Sequence, residues 1–146
     1  MGAQLRGVAA APAGTDCSAA GAAFKFTSFS FDPTTPVKGQ TNKITMDGTL
    51  AKAVSSGTFT MEVKLDGSTL YSHTDNVCGT VDVNPPLGTK IVLQGFDCPT
   101  STSGDAELSL TASFPPFVPS GAYTLALTAK DASGDQIYCG NVDFSL

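Results

Sequence analysis

The sequence has few charged residues, no basic cluster and no long apolar run, and each shortage argues against a class of function. Asp, Glu, Lys and Arg together make up 14% of the chain, against about 25% in typical globular domains. The net charge of −5 comes with no grouped Lys and Arg, so we expect no nucleic-acid partner, because a phosphate backbone is held by clustered cations. No apolar stretch approaches the roughly 18 residues of a membrane-spanning helix. We therefore expect no integral membrane segment.

The motifs of common enzymes are also missing. The chain has no GxSxG or HExxH motif, and His73 is its single histidine. A lone histidine in a turn-like stretch is ordinarily a solvated surface residue. Asp131 and Asp135 could be imagined as calcium ligands, but acidic turns between strands are far commoner than calcium sites. We predict a protein that is not an enzyme and has no metal site and no cofactor.

The four cysteines show no CxxC pair. They are separated by 61, 20 and 41 residues, whereas ligands of structural metal sites usually come in pairs two to four residues apart. Disulfides are the better interpretation, and they indicate an oxidising compartment. We expect a secreted protein or one of the endosomal or lysosomal lumen. Four cysteines permit three connectivities, and their spacing does not choose among them.

The chain does contain short runs in which apolar and polar residues alternate. The period of two over residues 58–65, 107–114 and 122–128 predicts strands with one buried face. Asp66-Gly67 and the acidic turn 131–135 predict hairpins. We count about eight strands, take His73–Gly88 as a loop, and find no helical period. This pattern predicts an all-β fold, a β-sandwich of two antiparallel sheets.

The length of 146 residues favours one domain with a real core. We predict a flexible N-terminal tail or expression remnant over residues 1–15 and a single domain over 16–146. The large apolar residues on inward parities can form an ordinary packed core. They can equally line a hollow sandwich that holds an apolar ligand, and the residues alone do not decide between these two forms.

Several short motifs, taken in order, resemble the ML lipid-recognition family, whose branches include luminal sterol-transfer proteins and fungal phosphatidylglycerol/phosphatidylinositol transfer proteins. The resemblance covers about Asp16 to Leu146. It is carried by Asp32-Pro-Thr-Thr-Pro-Val37 with Lys38-Gly39-Gln40, by Cys98-Pro99, by Phe114-Pro115 with Val118-Pro119-Ser120, and by Lys130-Asp131 through Ile137-Tyr138-Cys139. Sterol-transfer members carry a further disulfide across the proline-rich turn, where this chain has Asp32 and Val37.

This resemblance implies an immunoglobulin-like sandwich with an apolar cavity between its sheets and disulfides Cys17–Cys139 and Cys78–Cys98. From inward parity we place eight residues on the lining, and we place three residues of the proline-rich loop at the mouth. The lining residues are Phe59, Met61, Val63, Leu108, Leu110, Tyr123, Leu125 and Leu127, and those of the mouth are Phe114, Phe117 and Val118.

The resemblance implies a non-catalytic lipid-binding and transfer protein that carries a sterol or phospholipid. The expected partners are the lipid itself and, transiently, a membrane or a membrane lipid transporter, and we expect a monomer. The alternative is a lipid-recognition module of signalling or immunity, of the allergen or co-receptor type, which presents its lipid to a protein partner. A more distant alternative is a solid adhesion-type sandwich that binds through its loops.

Overall fold

Two five-stranded antiparallel sheets face each other in the computed structural model, which describes residues 11–86 and 88–146. Sheet A has the strand order β1-β10-β9-β4-β5, and sheet B has the order β2-β3-β8-β7-β6. The buried apolar side chains of both sheets form one core between them. The strands are β1 (Ala13–Asp16), β2 (Phe24–Asp32), β3 (Thr41–Leu50), β4 (Thr58–Leu65), β5 (Ser68–Asn76), β6 (Thr80–Val83), β7 (Lys90–Gln94), β8 (Gly104–Ser113), β9 (Ala122–Lys130) and β10 (Gln136–Ser145).

The first strand lies within the stretch that we predicted to be a tail. Residues 13–16 pair antiparallel with β10, from Ala13 opposite Asp143 to Asp16 opposite Gly140. The folded domain therefore begins at or before Ala13, three residues earlier than expected. The strand has no apolar alternation because its residues are half-buried or exposed, and backbone pairing with β10 holds it in place. Residues 1–10 of the predicted tail lie outside the described residues.

The described residues contain ten strands, so the estimate of about eight was low. The predicted loop from His73 was wrong at two places, because β5 continues to Asn76 and β6 occupies Thr80–Val83. Both are edge strands, and β5 has no residue in the buried class. An edge strand with no buried face, such as β5, lacks the alternation from which strands are predicted. β6 does alternate, but it is only four residues long.

The predicted hairpins and the predicted irregularity in β2 are confirmed. Asp66 (φ 50°) and Gly67 (φ 86°) form a two-residue turn between β4 and β5, and positive φ at both positions is the type I′ geometry that Asp-Gly favours. The pairing of β2 with β3 shifts register between Phe26 and Ser28. This bulge explains the change of parity from Phe26 to Phe29.

One end of the sandwich, which we call the closed end, is held by bonds between the two sheets. Phe96, just after β7, donates its backbone N–H to Val77, just after β5, at 3.1 Å. The Cys78–Cys98 disulfide joins the same two segments. An aromatic cluster of Phe24, Phe26, Phe96 and Tyr138 fills the interior here, with ring centroids 5.1 to 6.2 Å apart.

The second disulfide joins Cys17 to Cys139, so both bonds match the pairing that the resemblance implied. Cys17 follows β1 directly, and its backbone N–H donates to the Cys139 carbonyl at 2.8 Å. This disulfide therefore fixes β1, the first strand in the sequence, to β10, the last.

A buried asparagine holds the proline-rich turn between β2 and β3. Asn42 is 4% exposed, and its Oδ1 accepts a hydrogen bond from the Val37 backbone N–H at 2.9 Å. Its Nδ2 donates to the Val37 carbonyl at 3.1 Å. The turn is thus tied down by side-chain hydrogen bonds at the place where the sterol-transfer members of the family that the sequence resembles carry a disulfide.

Candidate functional site

An apolar cavity of about 150 Å³ lies between the sheets at the end opposite the closed end. We call the loop residues 84–86, 88–89 and 114–120, which border it, the mouth. Sheet A contributes residues from β4, β5 and β9, and sheet B contributes β7 and the two mouth loops. The cavity is lined by Val63, Leu70, Tyr71, Pro85, Pro86, Thr89, Ile91, Phe114, Val118, Pro119, Tyr123 and Leu125.

Five of the eleven predicted residues line this cavity: Val63, Phe114, Val118, Tyr123 and Leu125. All five are buried, with at most 8% of their surface exposed. They come from two strands and one loop, which the fold brings to the same end of the sandwich. The alternation along β4 and β9 predicted three of them as lining residues, and the proline-rich loop predicted the other two at the mouth. The structure brings all five together.

Five other predicted lining residues do not line this cavity. They are buried on the same inward faces, but they lie in the packed core further along the strands. On sheet A, for example, Val63 pairs with Leu125 at the cavity, and Met61 pairs with Leu127 two residues along each strand from that pair. The five residues are Phe59, Met61, Leu108, Leu110 and Leu127, none more than 1% exposed.

Phe117 lies at the mouth but points outward. The Val118 N–H donates to the Pro115 carbonyl at 3.2 Å and closes a turn with Pro116 and Phe117 at its tip. Phe117 is 70% exposed and is not a lining residue. An apolar ring held at a turn tip beside an apolar cavity is available for contact with another molecule.

Seven lining residues were not predicted, and a β-bulge explains two of them. The pairing of β4 with β5 shifts register after Val63, which leaves Leu70 without an opposite residue. The bulge lets the consecutive residues Leu70 and Tyr71 both face the cavity. Pro85, Pro86 and Thr89 lie in a stretch without periodicity, so only the Asn84-Pro-Pro86 sequence marked it as a loop. Ile91 and Pro119 are the other two.

The polar side chains of the lining are few. Tyr123, 5% exposed, donates its hydroxyl to the Pro119 carbonyl at 2.6 Å. Burial, and to a lesser extent the Asp66 carboxylate, raises the pKa of Tyr123, so the hydroxyl stays protonated and keeps the mouth loop attached to β9. Tyr71 and Thr89 are the remaining polar side chains of the lining. The cavity therefore suits a molecule that is mainly hydrocarbon.

A side-chain partition separates the cavity from a second, much smaller void. Phe114 and Leu125 line both spaces, and the second has a volume of about 10 Å³ beside the proline-rich turn. Phe114 packs against Phe144 with ring centroids 5.6 Å apart. Movement of these side chains would join the two spaces and enlarge the cavity along the sheets.

The single histidine and its partner Asp75 lie away from the cavity. His73 is on β5, where its Nε2 is 3.0 Å from Asp75 Oδ2. The Asn76 backbone N–H, and then the His73 ring, lower the pKa of Asp75. Neither residue lines the cavity. In residues 11–86 and 88–146, no three His, Cys, Asp or Glu side chains form a group that could hold a metal ion, and no helix is long and apolar enough to cross a bilayer.

Comparison with protein families and curated proteins places the chain among known relatives. The family model described as the ML domain matches residues 13–146. A Dictyostelium discoideum protein named for phosphatidylglycerol/phosphatidylinositol transfer is 32% identical over 132 residues, which cover 90% of this chain and 84% of that protein. The phosphatidylglycerol/phosphatidylinositol transfer protein of Aspergillus oryzae is 29% identical over 111 residues, covering 73% of this chain and 55% of that protein.

Solved structures share the fold at low sequence identity. A Niemann-Pick type C2 protein from Japanese carpenter ant superposes with a TM-score of 0.64 at 13% identity, covering 91% of this chain and 98% of that one. Chicken MD-1 complexed with lipid IVa gives a TM-score of 0.51 at 12% identity, covering 90% and 95% of the two chains. Both confirm the two-sheet architecture.

Proposed function

The chain belongs to the ML-domain family, and from that premise we propose that it is a non-catalytic lipid-binding and transfer protein that carries its lipid between the two sheets. The observation that carries this proposal is the apolar cavity of about 150 Å³ at one end of the sandwich. The names of the curated relatives, which refer to phosphatidylglycerol and phosphatidylinositol transfer, support a phospholipid as cargo.

The size of the cavity indicates how a lipid would enter. A dry apolar cavity of about 150 Å³ is large enough for a molecule such as benzene, so this one holds only part of a lipid chain as it stands. A flexible acyl chain can enter in steps as side chains such as Phe114 move. A rigid fused-ring sterol needs its whole volume at once, and this difference favours the phospholipid over the sterol.

The arrangement of bonds between the sheets supports such widening. Among the described residues, the backbone hydrogen bonds that join sheet A to sheet B outside the ladders lie toward the closed end, as between Phe96 and Val77 and, at 3.3 Å, between Ala23 and Gln136. Around the cavity the sheets meet through apolar side chains. The mouth end can therefore widen without breaking the sheets.

A membrane is the partner that the outer surface of the mouth end fits best. The exposed large apolar side chains of the described residues are Val37, Leu70 and Phe117, and all three lie at this end. Lys38, whose Nζ donates to Ser120 Oγ at 2.7 Å, and Lys90 flank the mouth loops. Lys43 and Lys64 also lie in the mouth-end parts of their strands, but the net charge is −5, so contact would rest on apolar insertion, be weak and allow release.

The two disulfides fit an oxidising compartment. We propose a secreted protein or one of the endosomal or lysosomal lumen that acts as a monomer. The receptor-type alternative, in which the lipid is presented to a protein partner, is not favoured, since the curated relatives are named for transfer.

Native mass spectrometry of the protein after exposure to mixed vesicles of phosphatidylglycerol, phosphatidylinositol, phosphatidylcholine and cholesterol tests the proposal. We expect a one-to-one complex with a phospholipid, and movement of that phospholipid between donor and acceptor vesicles. A protein that emerges without lipid and whose cavity-facing amides exchange as slowly as the packed core would contradict the carrier. Stable loading without exchange between vesicles would instead favour the receptor-type alternative.

A further inference from the structure

Thr89 differs from every other lining residue of the cavity. It is 7% exposed, and apart from tyrosines it and Asn42 are the only buried residues with polar side chains among the described residues. Asn42 uses its side chain in several hydrogen bonds. The Thr89 hydroxyl makes no hydrogen bond to any described residue, although Thr89 lines an otherwise apolar cavity.

The other two hydroxyl groups of the lining, those of Tyr123 and Tyr71, either have a partner or are open to water. Tyr123 donates to the Pro119 carbonyl at 2.6 Å, and Tyr71 lies on the exposed edge strand β5, where it is only half-buried and water can reach it. A hydroxyl sealed inside the protein without a partner costs about 1–3 kcal/mol. No side-chain nitrogen or oxygen of the described residues is both fully buried and unpartnered. The Thr89 hydroxyl is therefore not sealed off, and Thr89 lies on the lining of the cavity.

We propose that Thr89 is the specificity-determining polar contact of the cavity, and that its hydroxyl donates a hydrogen bond to an acyl ester carbonyl of a glycerophospholipid. This inference rests on the proposed function and adds to it the ligand group that is recognised. Thr89 is the last residue of the first mouth loop and directly precedes β7. A lipid whose chain fills the apolar interior would bring the ester that begins the chain to this level.

The chemistry of the two groups matches. An ester carbonyl accepts a hydrogen bond and cannot donate one, and the Thr89 hydroxyl, which donates to no described residue, can donate to it. An ether-linked lipid of the same shape has no carbonyl oxygen at this position. The site should therefore discriminate between ester and ether linkages of otherwise identical lipids, because the ether leaves the hydroxyl without its bond.

The experiment compares dioctanoyl phosphatidylglycerol with the dioctyl ether analogue, both short enough to be studied as monomers, by isothermal titration calorimetry. We expect the wild type to bind the ester roughly 2- to 12-fold more tightly, the range for one neutral hydrogen bond. Thr89→Val, which replaces the hydroxyl by a methyl group, should bind both lipids alike, and Thr89→Ser should keep the preference. Thr111→Val, the same change on the outer face of β8, should keep it as well.

Each outcome decides the inference. Equal affinity of the wild type for the two lipids overturns it even if Thr89→Val does not fold, and so does a preference that survives in Thr89→Val. Tight binding of cholesterol with neither phospholipid overturns the ligand class while leaving lipid binding standing. Failure of the wild type to bind the ester, the ether or cholesterol would instead reject the proposed function itself.

Discussion

Val63 marks the point on β4 where the packed core gives way to the cavity. It is 8% exposed and pairs with Leu125, and both side chains line the empty space. Met61 and Leu127 form the next inward pair toward the closed end and are 0% and 1% exposed. A larger side chain therefore has room at Val63 and none at Leu127, which makes the two positions a matched pair.

Val63→Phe should fill the cavity, so we expect lipid binding to be lost while the free energy of unfolding changes by less than about 1 kcal/mol. Leu127→Phe should instead overpack the core and cost about 1–3 kcal/mol. Urea unfolding and lipid titration of both variants measure the difference. A Val63→Phe protein as destabilised as Leu127→Phe would mean that the interior at Val63 is solid.

Tyr138 gives the stability of the protein a dependence on alkaline pH. Burial raises the pKa of Tyr138, whereas an unfolded tyrosine ionises near pH 10. Its stabilising contribution is therefore complete below about pH 10 and is lost as the pH rises toward the folded-state pKa, by roughly 1.4 kcal/mol per pH unit. Tyr138→Phe should flatten this loss in urea unfolding between pH 9 and 11.5. Identical pH profiles for both proteins would contradict the prediction.

At the level of strands, the sequence predicts those strands that have one buried face and one exposed face. β4, β8 and β9 alternate buried and partly exposed residues, and each was found with its inward face. β1, β5 and β6 lie at or next to sheet edges, where position depends on a partner strand. The division of an inward face into cavity and core depends on the spacing of the opposite sheet. The alternation along β4 therefore assigned both Val63 and Met61 to the cavity lining, although only Val63 lines the cavity.

The two disulfides connect elements over very different lengths of chain, and their removal should have unequal effects. Cys17–Cys139 spans 122 residues and Cys78–Cys98 spans 20. The loop-entropy relation gives about 4.9 and about 3.3 kcal/mol for the two bonds. We expect the double variant Cys17→Ser/Cys139→Ser to lose more stability than Cys78→Ser/Cys98→Ser, as measured by urea unfolding. The reverse order would show that bonding at the closed end outweighs loop length.

The two ends of the molecule differ, because the closed end is held by bonds between the sheets and the mouth end contains the apolar cavity. The Cys78–Cys98 disulfide and the aromatic cluster lie at the first, and the cavity with exposed Phe117 and Leu70 lies at the second. This polarity was inferred from the sequence only at the proline-rich loop, where Phe117 and Val118 were placed at a mouth. The contribution of Leu70 could not be predicted, because its orientation depends on a bulge in an edge strand.

The chain contains no tryptophan, so a single introduced tryptophan can report which end meets a membrane. We expect the emission of Phe117→Trp to shift to shorter wavelength when phosphatidylcholine vesicles are added, because the ring leaves water for the interface. Ala132→Trp, in the exposed 131–135 turn at the opposite end, is the control and should not shift. Equal responses of the two variants would argue against docking through the mouth.

The pairing of β1 with β10 also affects how the protein is made. Cys17 emerges from the ribosome 122 residues before Cys139, which at 5–20 residues per second is roughly 6 to 24 s. During that interval its thiol meets Cys78 and Cys98, the two cysteines that are synthesised before its partner. A mispaired bond formed then can be corrected only by thiol–disulfide exchange. We therefore expect the yield of native protein to rise with disulfide isomerase activity in the compartment where the chain folds.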